Sequence, residues 1–312
     1  MKQRIAFFLL LLFISPTNYV FSQDDGEVIR VDSSLVVLNA TITDLDGKPV
    51  PGLQKNRFSI FEDGVEQKID FFSAEDTPFA AVILLDTSGS MEQRISMARS
   101  AAIRFLSGLR LGDMAAIYRF DSKVARVQAF SEMRDVDEAI FDTKASGMTS
   151  MYDAIVKASE ELSQRSEKRR AIIVLSDGED TSSGRSADFA LKSALKAGAS
   201  IYTVDMSGAD GGRRAQNAAV LRNFAEKSGG RFVATPGGTA MREAFENIVA
   251  ELGTQYTLTY DPSNTAKDGK WRAIELRVAR KNLLIRTRKG YNAPKTQKPT
   301  RYKISLPQKA QR

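Results

Sequence analysis

Between residues 79 and 252, short apolar runs alternate with longer amphipathic stretches, and this alternation restricts the fold more than any other feature of the chain. The runs "FAAVILL", "MAAIYRF", "AIIVLS" and "SIYTVD" are rich in apolar and β-branched residues. Runs of that length and composition suit strands buried on both faces of a sheet. Between them lie "SMARSAAIRFLSGL", "MYDAIVKASEELSQR" and "SADFALKSALKAG", which read as helices; in the second, Ile155, Ala158 and Leu162 recur at helical spacing. "RFVAT" reads as one more edge strand, and "TAMREAFENIVAELG" as a last amphipathic helix over 239–252, stopped by Gly253. Strand and helix in strict alternation predict an α/β domain with a doubly wound, mostly parallel, Rossmann-like sheet.

The flanks are written differently. In "LVVLNATIT", Val36, Leu38, Ala40 and Ile42 alternate with Val37, Asn39, Thr41 and Thr43, which is strand periodicity. "LDGKPVPG" is a turn cluster, and "FSIFEDGVEQKIDFF" predicts a hairpin about Asp63-Gly64. After the last helix, Tyr256, Leu258 and Tyr260 alternate again, as do Ile274, Leu276 and Val278. Each flank alone is too small to bury a sheet well. The economical arrangement is one β-sandwich made from both flanks with the α/β domain inserted between them; two independent β appendages are the alternative. The expected division is a signal peptide over 1–22, the N-terminal part of the sandwich over 23–76, the α/β domain over 77–252, the C-terminal part of the sandwich over 253–292 and a basic, flexible tail over 293–312.

Composition narrows the chemistry. Among 312 residues there is no histidine and no cysteine. Disulfides, thiol nucleophiles, zinc fingers, haem or cluster ligation and a Ser-His-Asp triad are therefore excluded, and any metal must be held by oxygen, which points to hard cations. At the N-terminus, Lys2 and Arg4 precede an apolar run over 5–14, and Val20-Phe21-Ser22 offers a cleavage point before Gln23. This is the pattern of a secretory signal peptide, and the run is short for a membrane span. The mature chain is expected to be exported, periplasmic or secreted to the cell surface, with no membrane span of its own. The net charge of +7 is less telling than it looks, because 293–312 carries six basic residues and no acid, and the body between leader and tail is close to neutral. A solvated tail is the simpler reading, and no motif supports nucleic-acid binding.

The stretch "AVILLDTSGSM" sends a buried strand straight into an aspartate and a cluster of hydroxyls. Ligands of open α/β sheets sit at the carboxyl ends of the strands, which is where Asp86, Ser88 and Ser90 are expected. Two further segments bring oxygen to the same edge. "ASGMTSMYDAI" puts Thr149 in a loop before a helix, and "AIIVLSDGED" ends a strand at Asp177. Two carboxylates and three hydroxyls at one rim make a hard-cation site, and so few anionic ligands suit Mg²⁺, with Mn²⁺ or Ca²⁺ also possible. Nearby polar residues have plainer readings: Glu179 and Asp180 as a solvated loop, Asp153 as support for the first turn of a helix, Asp121 as a strand end, and Lys168, Arg169 and Arg170 as a solvated charge run.

The set Asp86, Ser88, Ser90, Thr149 and Asp177, in that order and in those strand contexts, resembles the metal-ion-dependent adhesion site of von Willebrand factor type A domains. The resemblance covers 77–252. The phrases "DLDGKPVPGL", "FSIFEDGVEQKI" and "YTLTYDPSN" with "DGKWRAIELRV" further resemble a group of exported bacterial proteins related to von Willebrand A domains. The resemblance implies that Ser88 and Ser90 ligate the metal directly, that Thr149 does so in the ligand-bound form, and that Asp86 and Asp177 act partly through water. It also implies a partner: a protein ligand whose Asp or Glu carboxylate fills the open position. The expected function is therefore an exported binding or adhesion protein and not an enzyme. A structural or envelope-assembly scaffold with an idle metal site is the second reading, and a metal-dependent hydrolase the third. For the last, a phosphatase of the haloacid-dehalogenase type would need an acid/base aspartate where this chain has Ser88. Ser193 and Lys196 have Ser-Lys spacing but fall within a helix.

Overall fold

The structure, a computed structural model, describes residues 35–74, 77–132, 140, 144–207, 214–234 and 239–295. The expected signal peptide and all but the first three residues of the expected basic tail lie outside them. At the centre is a six-stranded sheet made by β5 (Phe79–Asp86), β6 (Met114–Phe120), β7 (Val124–Ser131), β8 (Arg169–Ser176), β9 (Ala199–Asp205) and β10 (Phe232–Val233). Its order is β10-β9-β8-β5-β6-β7, parallel throughout except for the antiparallel β6–β7 pair. Helices α1 (Ile95–Ser107) and α5 (Thr239–Thr254) supply one covering layer; α2 (Met151–Ser163), α3 (Ala187–Lys196) and α4 (Arg214–Ser228) supply the other. Alternation along β5 and β8 divides the core between these layers. Ala81, Ile83, Leu85 and Ile173 pack with Phe105, Phe245 and Ile248, whereas Val82, Leu84, Ile172 and Val174 pack with Ile155, Leu191 and Phe224. The doubly wound α/β fold is as expected from the alternation.

Both flanks contribute to one sandwich. β1 (Val36–Thr43) pairs antiparallel with β11 (Tyr256–Tyr260), in a sheet of order β13-β1-β11-β4 that includes β4 (Phe71–Ala74) and β13 (Leu284–Arg286). β2 (Phe58–Glu62) pairs with β12 (Trp271–Val278), in a sheet of order β14-β12-β2-β3 completed by β3 (Val65–Gln67) and β14 (Gly290–Asn292). Leu38, Ala40 and Ile42 from the first sheet and Ile60, Ile274 and Leu276 from the second share one apolar core. The β2–β3 turn is the expected one: Asp63 and Gly64 both have positive φ, 48° and 83°, as a two-residue hairpin turn of the I′ kind requires.

The second face of β1 and β11 is polar, yet it is buried. Asn39, Thr41, Thr257 and Thr259 are all at most 7% exposed. Asn39, Thr41 and Thr257 find their hydrogen-bond partners at the junction with the α/β layer. The amide of Asn39 donates from Nδ2 to the Lys168 carbonyl at 3.0 Å, Thr257 Oγ1 donates to Asn39 Oδ1 at 3.0 Å, and Gln255 Nε2 donates to Thr41 Oγ1 at 3.3 Å and to the Tyr202 hydroxyl at 3.2 Å.

Arg169 stands at the middle of this junction, and it corrects the reading of residues 168–170 as a solvated charge run, which holds for the exposed Lys168 alone. It is fully buried. Its guanidinium donates to the carbonyls of Thr77, Leu252, Gly253 and Gln255 and to Thr257 Oγ1. Those acceptors belong to the two chain crossings, one entering the α/β domain and the other leaving it. Arg170 is also turned inward, to the carbonyls of Arg165, Glu167 and Ala197.

Three other expectations need adjustment. Gly253 does not stop the last helix, which runs on to Thr254. The Arg110 guanidinium lies over Gly253 in that last turn. β7 was not expected, because its half-exposed residues, Arg126 among them, lack an apolar run. α4 was not expected either, since Leu221, Phe224 and Ala225 are its only fully buried apolar side chains among those described.

Replacing Arg169 with methionine should take this donor from four buried acceptors and from the half-buried Thr77 carbonyl. Each buried acceptor left unsatisfied costs about 1–3 kcal/mol, so Arg169→Met should lower the urea midpoint steeply. Arg277→Ala, which removes an exposed partner of Glu275, should leave that midpoint almost unchanged.

Candidate metal centre

Strand order reverses at β5: the chain proceeds from β5 to β6 on one side and later returns to β8 on the other. The crevice beyond the carboxyl ends of β5 and β8 is thus the topological switch point, where ligands of such sheets bind. β5 ends at Asp86, β8 ends at Ser176, and Asp177 follows immediately.

Asp86 is fully buried and gripped on both oxygens. Its Oδ1 accepts the Ser88 amide at 2.9 Å and the Ser88 hydroxyl at 2.6 Å; its Oδ2 accepts the Ser176 hydroxyl at 2.6 Å. Ser88 Oγ lies 3.1 Å from Ser90 Oγ. Because a hydroxyl has one proton and two lone pairs, Ser88 gives its proton to Asp86 and keeps its lone pairs for other partners. The short 3-10 turn Gly89–Met91 follows, anchored in the core by the buried Met91.

Thr149 reaches the same edge through backbone contacts between loops. The Ser146 amide donates to the Thr87 carbonyl at 2.8 Å, and the Gly89 amide donates to the Gly147 carbonyl at 3.1 Å. Thr149 itself is held by the 178–186 loop: its amide donates to Thr181 Oγ1 at 2.9 Å, and its carbonyl accepts the amides of Thr181 and Ser182. Asp177 is 8% exposed, its Oδ1 accepting the Glu179 amide at 3.2 Å, and its charge is felt by Asp86. Gly178 has φ of 81°, and a Cβ there would lie 2.7 Å from the Asn217 carbonyl oxygen, so this loop packs directly on α4. Asp86, Ser88 and Ser90 are therefore in direct contact, and Asp177 and Thr149 border the same crevice from adjoining loops.

Burial pushes the Asp86 carboxyl up from its ordinary 3.8 to about 6; hydrogen bonds from Ser176 and Ser88 act against this, and the Asp177 charge adds to it. A buried carboxylate with a second carboxylate as neighbour and hydroxyls around it is a donor set for a hard cation. Among the described residues no three acidic side chains cluster as ligands, so such a cation would depend on the hydroxyls. Ser88, Ser90 and Thr149, with Asp86 and Asp177, are the residues that fit it.

Several neighbours have other tasks. Asp180, expected in a solvated loop, accepts the Tyr152 amide at 2.9 Å and so caps α2, whose own N-cap Ser150 makes no side-chain cap. Asp153 accepts the amides of Gly184 and Arg185 at 2.9 and 3.1 Å, fastening the loop to that helix. Asp121 pairs with Arg119 at 3.2 Å. Ser176 was missed by the sequence reading. Strand parity carried the signal: β5 and β8 pair Leu84 with Val174, so Asp86 and Ser176 emerge on the same face.

Residues 81–179, which include all five of these positions, match the von Willebrand factor type A domain family. Over those residues the chain is similar to von Willebrand factor type A domains. Domains of this type are generally binding and adhesion modules rather than enzymes. Similar solved structures include the conserved hypothetical protein BatB from Bacteroides thetaiotaomicron, 18% identical with a TM-score of 0.47, covering 56% of this chain and 98% of that one. A von Willebrand factor type A protein from Catenulispora acidiphila is 15% identical with a TM-score of 0.48, covering 86% and 75%. The von Willebrand domain of the type V pili tip protein Mfa5 from Porphyromonas gingivalis is 14% identical with a TM-score of 0.47, covering 56% and 94%. No curated protein matches the chain.

The raised Asp86 carboxyl sets a pH dependence. Its folded value lies above its unfolded one, so its contribution to stability is full below about 3.8 and is lost as pH rises through about 6. Ionised at neutral pH, it costs the cation-free fold about 3 kcal/mol. In EDTA, urea midpoints should therefore fall between pH 4 and pH 7 by an increment that Asp86→Asn removes, and the variant should be the more stable protein at pH 7.5. Equal pH profiles for the two proteins would contradict this account of the site.

Proposed function

We propose that the protein is an exported binding module that captures a protein ligand through a divalent cation, Mg²⁺ in the first instance. The observation that carries this reading is the buried Asp86 carboxylate, held on both oxygens by the hydroxyls of Ser88 and Ser176 with the Asp177 carboxylate as its neighbour. In this reading Ser88, Ser90 and Thr149 offer neutral oxygens to the cation, and Asp86 and Asp177 supply the negative charge. When bound, the cation supplies an electrophilic centre for an Asp or Glu side chain of the partner. Asp86 has a second task, since by accepting the Ser88 proton it turns the Ser88 lone pairs outward.

Export belongs to the same proposal. It rests on Lys2, Arg4 and the apolar run over 5–14, which lie outside the described residues. Among the described residues no helix is long and apolar enough to cross a membrane.

Calorimetry with MgCl₂ tests the reading. Binding at about ten times Kd should stabilise the fold by about 1.4 kcal/mol, and EDTA should reverse it. Asp86→Ala should abolish both the heat of binding and the thermal shift. Capture of partner by the immobilised protein should require Mg²⁺ and fail in EDTA. A wild-type protein that binds neither Mg²⁺ nor Mn²⁺, with or without partner, would refute the proposal.

A further inference from the structure

Ser176 has no place in the donor set, yet its hydroxyl stands between the two acidic parts of the site. It is fully buried at the end of β8. Its proton goes to Asp86 Oδ2 at 2.6 Å, and its oxygen accepts the Gly178 amide at 3.0 Å. With one proton and two lone pairs, the hydroxyl makes a directional link from the Asp86 carboxylate to the loop that carries Asp177. The backbone beneath it is also fixed, because the Ser176 carbonyl accepts the Met206 amide at 2.9 Å from the neighbouring strand end. On its other oxygen Asp86 is held by Ser88. The carboxylate therefore cannot turn without breaking one of these bonds.

We propose that Ser176 is a positioning residue of the cation site, coupling the Asp86 carboxylate to the Asp177 loop through its hydroxyl. The inference rests on reading the crevice as a cation centre, but the coupling itself is a property of the cation-free protein. Ser207 gives an internal contrast. It lies two residues beyond the end of the adjacent strand, is 9% exposed, and among the described residues its hydroxyl makes no hydrogen bond. Removing that hydroxyl takes away a buried polar group but no link.

Two measurements on wild type, Ser176→Ala, Ser176→Thr and Ser207→Ala decide the matter: Mg²⁺ affinity by calorimetry, and hydrogen exchange of the Gly178 amide in EDTA. Loss of an outer partner of a metal ligand weakens metal binding by about ten- to a hundredfold, and that is the loss expected for Ser176→Ala. The Gly178 amide should exchange faster in the same variant. Ser176→Thr, which keeps the hydroxyl, should restore both, and Ser207→Ala should match wild type in both. Wild-type Mg²⁺ affinity in Ser176→Ala would overturn the positioning role, and so would unchanged Gly178 protection. If the wild type binds no Mg²⁺, the cation reading falls by itself. Gly178 exchange then decides the coupling alone, supported by loss in the alanine variant with recovery in the threonine variant and refuted otherwise.

Discussion

One buried guanidinium joins the two halves of this protein. The chain leaves the sandwich near Thr77 and re-enters it at Gln255, and Arg169 donates to carbonyls on both crossings. An insertion held by two covalent crossings alone could hinge about them. Here the crossings are bound to each other through a side chain that begins β8, and β8 ends at Ser176 and Asp177. At roughly 3.3 Å per residue, one strand thus spans about 25 Å from junction to site. A strand at the centre of a close-packed sheet has little freedom to bend, so the sandwich carries the crevice as a rigid part of itself.

The same junction is a place where helices end. The carbonyls of Leu252 and Gly253, in the last turn of α5, accept from Arg169; that of Leu195, near the end of α3, accepts from Arg288; and that of Gly230, just beyond α4, accepts from Arg286. Glu251 lies between Arg286 and Arg231 and supplies the balancing charge. Cations are favoured at helix C-termini, where unpaired carbonyls gather. In a parallel α/β sheet the helices begin near the carboxyl ends of the strands, so the partial positive charge of their N-termini faces the opposite rim, near Asp86 and Asp177. Arginines thus meet helix ends at the junction, and the Asp86 and Asp177 carboxylates stand at the opposite rim. Burial still raises the Asp86 carboxyl to about 6 despite its hydrogen bonds.

Much of this was legible in the residues, for reasons that differ by element. β5 and β8 were plain because strands covered on both faces must be apolar along their whole length, as "FAAVILL" and "AIIVLS" are. The shared sandwich followed from two flanks that each lacked a core. The junction was not legible. Asn39, Thr41 and Thr257 look like a solvent face in any period-2 reading, and "KRR" looks like surface charge. Their burial depends on a contact between segments more than 80 residues apart, as between Arg169 and Thr257. The site divides in the same way. Residue type and strand context picked out Asp86, Ser88, Ser90, Thr149 and Asp177, but the link through Ser176 appears only when the β5–β8 register places residues 86 and 176 on one face.

The choice of hydroxyls over acids has a consequence for the proposed function. Two carboxylates balance the formal charge of one divalent cation, and a third would over-neutralise it. Were Ser88 an aspartate, the cation would be held more firmly but would have less attraction left for an outside carboxylate, and an acid/base group would stand beside Asp86, as hydrolytic chemistry requires. A serine there does neither. It takes a proton away from the crevice by giving it to Asp86, and it leaves a neutral oxygen for the cation. The cost falls on the cation-free protein, which must keep a charged Asp86 buried at neutral pH. Under the proposed function that cost is offset when the cation meets the charge from outside.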